Sequence, residues 1–553
     1  MRTIQPEELA SERPHGPWSC RGRDIWDAFC AAAAGDAAGL RALLARDPNL
    51  YRAEYWYTQP MHFAVREGQL EAVRVLLEAG ADPTTTALSG HDLMTMARDR
   101  RHEAVVRLLE EERARRGRTA PKGAASDHGI HVAADEGDAA RVRHLLDAEP
   151  KLVNLGDRAG GTPLHRAVAA AAREVIELLL DRGADIHAFH GAGPGSESGY
   201  APADFQPIDL AFWNGPYFGV RGDLETARLL LAHGATCDLT IAAALGDLER
   251  VRAFLAADPG RIAETRPSGK RALSTAIQFG HDAIVLFLLD RGANPNWPEG
   301  AIAPRGMALH TAARAGDRAL VELLLAHGAD PNAGIDSSGS ATYAARTPEL
   351  RKLLVAHGGQ LDTYDLVWLG EDDEAVRRVA ADPASANSGC GGVLAAACKE
   401  GKRDLLVRLL DAGARVPAVL TACRSYLMSD PDMLRLLLAS GMDPDLPNWQ
   451  RATPLHDLSG RDSRGRPHRH RIECATILLD AGASVTARDE DYRSTPLAWA
   501  ARSGLPEMVE LLLSRSAPTQ LPDDEPWATP LAWATRRGHG QIAAILRNAA
   551  ASS

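Results

Sequence analysis

Apolar residues recur along most of this chain at the spacing of short amphipathic helices. After Thr162, the residues Leu164, Ala167 and Val168 fall on one helical face. In the run 174–180, apolar positions again recur every three or four residues. The pattern therefore predicts pairs of short helices, and the abundance of Ala and Leu favours close helix packing over sheets.

The ends of these helices are also encoded. Thr162 is expected to cap the first helix of its pair, Pro163 fits the first helical position, and Gly183 fits the left-handed residue that ends the second helix. Another ending replaces the glycine with a proline that cannot continue the helix. This ending recurs at Asp47-Pro48, Glu149-Pro150, Asp258-Pro259 and Asp382-Pro383.

A cassette built from these signals repeats with a period of about 33 residues, which indicates a stacked array. Thr-Pro-Leu-His or a variant opens it, and Leu-Leu followed by Gly-Ala-Asp closes it. The opener is found at Thr162–His165, Thr453–His456, Thr495–Leu497 and Thr529–Leu531. The cassette resembles the ankyrin-repeat family over about residues 25–550. This resemblance implies an all-α ankyrin-repeat solenoid of about fifteen helix-turn-helix units with projecting hairpins or loops. It also implies that the His of the opener bonds neighbouring backbone and organises the hairpin.

The domain organisation follows from breaks in the pattern. We expect an N-terminal extension at 1–24, a capping unit plus about two repeats at 25–112, a basic and then Pro/Gly/Ala-rich linker at 113–126, and repeats with a C-terminal cap at 127–553. The segment 340–349 is too short for a normal first helix.

Composition narrows the function. The net charge of −11 argues against nucleic acid as a partner. The seven cysteines form no CxxC pair, so neither a metal site nor a disulfide framework is predicted, and a reducing, cytoplasmic setting is expected. Neither a signal peptide nor a membrane span is predicted from these residues. No cofactor is predicted, and the chain is expected to be a monomer that binds a protein.

Two other functions stay open. An enzyme could hide its site in the degenerate region 339–450, where the cluster 388–392 places Cys390 among glycines; a hairpin turn is favoured there over a nucleophile. Nucleic acid or phosphate could bind the basic insertion 461–471, for which a solvated loop is the favoured interpretation.

The principal prediction is a non-catalytic scaffold that binds a protein partner through hairpin tips and the concave face of the first helices, as the ankyrin resemblance implies. Aromatic and Arg side chains at these positions are candidate anchors because they bury large areas at low entropic cost. The alternative is that the aromatic residues pack hairpin against hairpin, and Trp499 and Trp533 are assigned to the core. The candidate partner-binding residues are Trp56, Arg66, Trp213, Phe279, Trp297, Trp368, Trp449, Tyr492, Arg502, Trp527, Arg536 and Arg537.

Overall fold

The fold is known from a computed structural model of the 553-residue chain. The structure describes residues 2–15, 20–56, 58–83, 85, 92–116, 128–156, 161–189, 206–212, 223–266, 269–297, 299, 307–333, 339–389, 391–420, 424–461 and 466–552.

The first part of the chain, residues 2–116, is called the first block. A small antiparallel hairpin of strands β1 (Pro14–His15) and β2 (Cys20–Arg21) precedes its helices. The helices are α1 (Gly22–Ala34), α2 (Ala37–Arg46), α3 (Pro60–Arg66), α4 (Leu70–Glu78), α5 (Leu93–Asp99) and α6 (Glu103–Arg116).

The middle of the chain continues the alternation of first and second helices. Its helices are α7 (His128–Asp135), α8 (Ala139–Ala148), α9 (Pro163–Ala169), α10 (Arg173–Asp181), α11 (Pro207–Phe212), α12 (Leu224–Ala232), α13 (Leu239–Ala244), α14 (Leu248–Ala257), α15 (Ala272–Gln278), α16 (Asp282–Asp290), α17 (Met307–Ala315), α18 (Arg318–Ala326), α19 (Ala341–Ala344) and α20 (Pro348–Ala356).

The remainder completes the array. Its helices are α21 (Thr363–Leu369), α22 (Asp372–Ala381), α23 (Gly392–Lys399), α24 (Arg403–Asp411), α25 (Pro431–Ala439), α26 (Pro454–Leu458), α27 (Arg471–Asp480), α28 (Pro496–Ser503), α29 (Pro506–Ser514), α30 (Pro530–Arg536) and α31 (Gly540–Ser552). Short 3-10 helices occur at Glu8–Ala10, Pro48–Tyr51, Pro150–Asn154, Pro259–Ala263, Pro383–Asn387 and Arg424–Met428. The predicted all-α solenoid is confirmed.

The predicted Asp-Pro and Glu-Pro endings are confirmed. The helices α2, α8, α14 and α22 each end two residues before the proline, which then opens a 3-10 helix. In three of the four cases the preceding Asp accepts a hydrogen bond from a backbone N–H of that 3-10 turn. The short first helix predicted in 340–349 is also confirmed, because α19 has only four residues.

Asn side chains join successive hairpins in a repeated way. The Asn154 amide donates to the Gly183 carbonyl at 3.1 Å and accepts from the Asp185 N–H at 2.7 Å. Asn296 is joined to the hairpin that follows its own in the same manner. Its amide donates to the Gly328 carbonyl at 2.7 Å and accepts from the Asp330 N–H at 2.9 Å. One side chain thus satisfies a donor and an acceptor that the end of a second helix leaves unpaired.

The array has several apolar cores in succession, and the first block has a core of its own. Apolar side chains form successive clusters over residues 130–244, 239–354 and 366–546. A separate cluster spans Leu9 to Leu109 and contains one residue from outside the block, Trp449. The first block therefore packs against the last three helical pairs, α26–α31, and the two ends of the chain meet.

Helix bounds differ slightly from the predicted domain limits. The first helix starts at Gly22, within the predicted extension at 1–24, and α6 continues to Arg116, within the predicted linker at 113–126. Residues 117–127 lie outside the described residues.

The buried histidine of the opener makes the fold sensitive to acid. His456 Nδ1 accepts from the Thr453 N–H at 3.0 Å, and His456 Nε2 donates to the Ser494 carbonyl of the next unit at 3.0 Å. Burial lowers the pKa of His456 from 6.5 to about 4, so the neutral ring is the native form.

Because the folded pKa is lowered, the stabilisation from His456 is present above pH 6.5 and is lost as the pH falls through about 4. The loss at this one residue amounts to at most about 3 kcal/mol. We expect the stability difference between wild type and His456→Gln to narrow from pH 7 to pH 4 in thermal unfolding. A difference that stays constant over this range would contradict the assignment.

Candidate functional site

Trp449, predicted as a partner-binding residue, is inserted into the core of the first block. Its side chain is 1% exposed. Its ring centroid lies 5.2 Å from that of Tyr55, 6.0 Å from Phe63 and 6.2 Å from Phe29. Its carbonyl accepts a hydrogen bond from the Ile4 N–H at 2.8 Å. Trp449 therefore anchors the first block to the last three units.

The other aromatic residues near these hairpin tips pack edge to face. Tyr492 lies 5.5 Å from Trp533 between ring centroids, and Trp527 lies 6.1 Å from the same Trp533. The guanidinium of Arg502 lies 4.1 Å from the Tyr492 ring centroid, a cation–π distance. Arg100 of the first block lies 5.3 Å from the Trp527 ring, so this cluster also contacts the first block.

Asp99, the last residue of α5, receives arginine side chains from the far end of the chain. Arg537 donates to its carboxylate at 2.7 Å, and Arg502 lies 3.5 Å from the same oxygen. Arg536 donates to the Asp99 carbonyl at 2.8 Å. A carboxylate at a helix C-terminus is disfavoured by the helix dipole. The three arginines compensate for that position, and Asp99 is only 4% exposed.

Glu67, directly after α3, forms a second junction of charges. It accepts from Arg66 at 2.9 Å within the first block and from Arg493 at 2.9 Å across the interface. Arg66 donates further to Gln450 at 2.8 Å and lies 3.6 Å from Asp491. The Asp99 and Glu67 contacts together are called the terminal clamp.

The electrostatics of the terminal clamp reflect its burial. Burial alone would raise the pKa of Glu67, but Arg100, Arg66 and Arg493 outweigh it and lower this pKa. Burial raises the pKa of Asp491, although Arg66 opposes this shift. The carboxylate of Glu67 is thus held ionised by its partners.

These contacts correct the expectation of a free surface at the end of the chain. Trp449, Tyr492 and Trp527 are buried, as are Arg66 and Arg502. Arg536 and Arg537 are partly exposed, but both bind Asp99. The physical reason is that the first block occupies the hairpin tips and first-helix ends that were predicted to face a partner. Of the two residues assigned to the core, Trp533 is 0% exposed, as predicted, whereas Trp499 is half-buried.

Three more of the predicted anchors are half-buried. Trp56 packs edge to face on Tyr55, at 6.4 Å between ring centroids. The Arg271 guanidinium lies 5.2 Å from the Trp297 ring. Phe279 follows α15 and packs against the cluster of residues 130–244. Trp213 lies outside the described residues.

Trp368 belongs to an aromatic group that the sequence did not reveal as a whole. Its ring lies 5.9 Å from that of Tyr364 on the same helix α21. Tyr364, Trp368 and Tyr426 all pack against the apolar cluster of residues 366–546, and Tyr343 lies on α19. All four side chains are half-buried. We call Tyr343, Tyr364, Trp368 and Tyr426 the central aromatic patch.

Ser388 and Gly389 support the Tyr364 ring of the patch. Gly389 has φ +69° and packs under the ring of Tyr364, where an added Cβ would lie 2.4 Å from Tyr364 Cγ. Ser388 Oγ accepts from the Tyr364 N–H at 3.2 Å. The segment around 388–392 therefore positions the ring of Tyr364, a role that a turn can fill. Cys390 itself lies outside the described residues.

Charged groups surround the patch. Lys399 Nζ lies 5.1 Å from the Tyr426 ring centroid. Burial, together with Asp362, raises the pKa of Asp365 to about 6, and burial raises the pKa of Tyr364 to about 12. The phenol stays neutral at physiological pH, so the patch presents apolar rings with hydroxyl groups and a nearby ammonium group.

The regions of the other two functional hypotheses are described only in part. In the basic insertion, Arg461 donates to the Ser503 carbonyl at 2.7 Å and Arg471 to Glu507 at 2.8 Å, while residues 462–465 lie outside the described residues. In 339–450, burial raises the pKa of the Cys398 thiol to about 12, which keeps it protonated. No metal-binding group of three or more His, Cys, Asp or Glu occurs in the described part of the chain.

The repeated helix pairs, hairpin bridges and stacked cores define a helical-repeat protein. Models of ankyrin repeats match residues 93–190, 239–335 and 467–552, and a further single ankyrin repeat matches 59–87. These segments make up more than half of the chain, and the protein belongs to the ankyrin-repeat family. Across the helices that the structure describes, none is long and apolar enough to cross a membrane.

Several curated proteins are similar over part of their length. The E3 ubiquitin-protein ligase XB3 of Oryza sativa subsp. japonica is 29% identical over 191 residues, which cover 32% of this chain and 42% of that protein. The putative ankyrin repeat protein FPV240 of fowlpox virus is 30% identical over 22% of this chain and 29% of its own. The palmitoyltransferase AKR1 of Lachancea kluyveri is 27% identical over 27% of this chain and 20% of its own. The chain thus spans less than half of each of these relatives.

Removing the Trp449 ring tests its role as an anchor. Trp449→Ala leaves a cavity among Tyr55, Phe63 and Phe29, and substitutions of this kind cost about 3–5 kcal/mol. We expect faster amide hydrogen exchange in α1 and α3 and unchanged exchange in α21 and α23. The half-buried Trp56→Ala is the matched control and should have a smaller effect. Equal effects of the two variants would contradict the anchoring role.

Proposed function

We propose that this ankyrin-repeat protein is a non-catalytic scaffold that binds a protein partner through the central aromatic patch. The observation that carries the proposal is the grouping of Tyr343, Tyr364, Trp368 and Tyr426, which are half-buried and come from three units between α19 and the 3-10 helix 424–428. Aromatic side chains of this kind are typical interface hot spots because they combine large area with few rotatable bonds.

The burial of other predicted anchors supports the choice of this patch. Trp449, Tyr492 and Trp527 are buried against the chain's own residues, so they are not available in the closed arrangement. The central aromatic patch keeps part of its surface exposed and has Lys399 beside it. A partner segment with apolar side chains and an acidic residue would complement both features.

The comparisons are compatible with a binding function and leave the non-catalytic assignment as part of this proposal. Some relatives are named as a ubiquitin ligase and a palmitoyltransferase, but the matched segments cover only 42% and 20% of those two proteins. We further propose a cytoplasmic location, from the cysteine usage, and a monomeric protein.

Photo-crosslinking from the patch tests the proposal. A photoreactive phenylalanine analogue replaces Trp368 or Tyr426 in the full chain, and Val407 on α24, which is 38% exposed, is the control position. We expect a recurrent covalent protein adduct from 368 and 426 that is absent from 407. Adducts with the same proteins in the same amounts from all three positions would contradict the proposal.

With the partner identified, Trp368→Ala and Tyr426→Ala should each weaken binding by about 2 kcal/mol, or roughly thirtyfold. Trp297→Ala, which removes another half-buried Trp from a hairpin, is the control and should bind as wild type does. Titration calorimetry measures the effect, and a thermal melt of each variant confirms that it is folded. Unchanged affinity in both patch variants would exclude this surface.

A further inference from the structure

The contact between the first block and the last three units differs in kind from the contacts between successive units. Successive units share clusters of buried apolar side chains. Apart from the inserted Trp449, the terminal contact is made largely by ions: Arg493 with Glu67, and Arg502, Arg536 and Arg537 with Asp99. Charged contacts of this kind are typical of interfaces that open and close.

Equivalent positions of the repeat meet across this interface. Arg66 is the seventh residue of α3, Asp99 ends α5, Arg502 is the seventh residue of α28, and Arg536 is the seventh residue of α30. The inner ends of first helices in the first block therefore face the inner ends of first helices in the last three units. These are the positions at which ankyrin arrays are expected to meet a partner.

Each side of the interface keeps a hydrophobic core of its own. The first-block cluster runs from Leu9 to Leu109, and Trp449 is its one member from elsewhere. On the other side, Tyr492, Trp527 and Trp533 form a cluster without any residue of the first block. Separation of the two sides would therefore expose Trp449, the Trp527 ring that Arg100 contacts and the ions of the terminal clamp. The other side chains of each cluster would keep their contacts within their own side, with a cavity in the first block where Trp449 lay.

The interface is also incompletely packed. A cleft of about 370 Å³ lies between the two sides and is lined by Glu67, Arg488, Arg493 and Glu525, among other residues. Arg66 Nη2 is buried and has no hydrogen-bond partner among the described residues. An unsatisfied buried donor costs stability and therefore weakens the closed arrangement.

We propose that the terminal contact is a reversible latch, in which the last three units carry a docking surface specific for the first block. In the closed chain, the first block covers Trp449, Trp527 and the arginines of the clamp and keeps other proteins from them. The same surface would accept the first block of a second copy when its own is released. This surface is distinct from the central aromatic patch, so the inference does not rest on the proposed function.

Two full-length variants open the latch from opposite sides. Glu67→Arg/Asp99→Arg disables the first block and leaves the docking surface native. Arg493→Glu/Arg537→Glu disables the docking surface and leaves the first block native; its two arginine side chains are 44% and 34% exposed, so folding should tolerate the change. Arg377→Glu/Arg435→Glu, at exposed sites away from the interface, is the matched control.

Hydrogen exchange reports opening of each variant alone. We expect exchange at 446–452 and 525–529 to rise by about a hundredfold in both latch variants, since a buried charge without its partner is strongly destabilising. Exchange in α21–α24 should not change, and the control should match wild type. Wild-type exchange rates at 446–452 in both latch variants would overturn the proposal.

Mixing the two latch variants then tests docking between copies. One variant supplies a native docking surface and the other a native first block, so we expect a one-to-one complex with twice the 59.2 kDa mass in size-exclusion chromatography with light scattering. Each variant alone, and either variant mixed with the control, should stay at the single-chain mass. If both variants open but no complex forms, the proposal is overturned. The same holds if no complex forms because a released first block unfolds.

Discussion

The carboxylate of Asp99 is held by arginine side chains that lie more than 400 residues further along the chain. In water such ion pairs contribute little, but here the carboxylate is almost fully buried, and removing either partner would leave an uncompensated charge. The arginines are thus required once the carboxylate is buried, and the carboxylate is buried because the first block lies on the last three units. This mutual dependence, together with Trp449, closes the array.

Closure changes the role of the inner surface. In an open solenoid each unit touches only its neighbours, and stability is a sum of local terms. Here the first and last units also interact, so the opening of one end is coupled to the opening of the other. The central aromatic patch lies on units between these two ends, and its rings remain half-buried. The patch and the terminal contact can therefore serve different functions.

Much of the fold could be predicted because its determinants are local and repeated. The Thr-Pro-Leu-His opener, the glycine stop and the Asp-Pro ending each act within one turn of helix, and the structure confirms them. The residue types at the inner ends of the helices also marked Arg66, Arg502 and Arg536 as interface anchors. The residues that these arginines bind could not be predicted, because contacts between segments so far apart leave no periodic pattern in the sequence.

The residues that were missed explain why. Asp99 and Glu67 carry no signal of their own, because a single carboxylate on a short helix is ordinarily solvated. A weak sign was available: Asp99 occupies the position in its repeat that is arginine at 66, 502 and 536, with the opposite charge. Tyr343, Tyr364 and Tyr426 were missed because their proximity depends on the stacking of units, and only Trp368 stood out by residue type.

The distance between the two ends of the chain is the most direct test of closure. Spin labels are introduced through noncanonical residues at the exposed Arg74 in α4 and the half-buried Arg515 after α29. Pulsed electron paramagnetic resonance then measures this distance in the full-length protein. Closure predicts one narrow distance distribution at low ionic strength, matching the separation in the structure. A broad distribution extending to long distances under the same conditions would show that the ends do not meet, and would contradict the account.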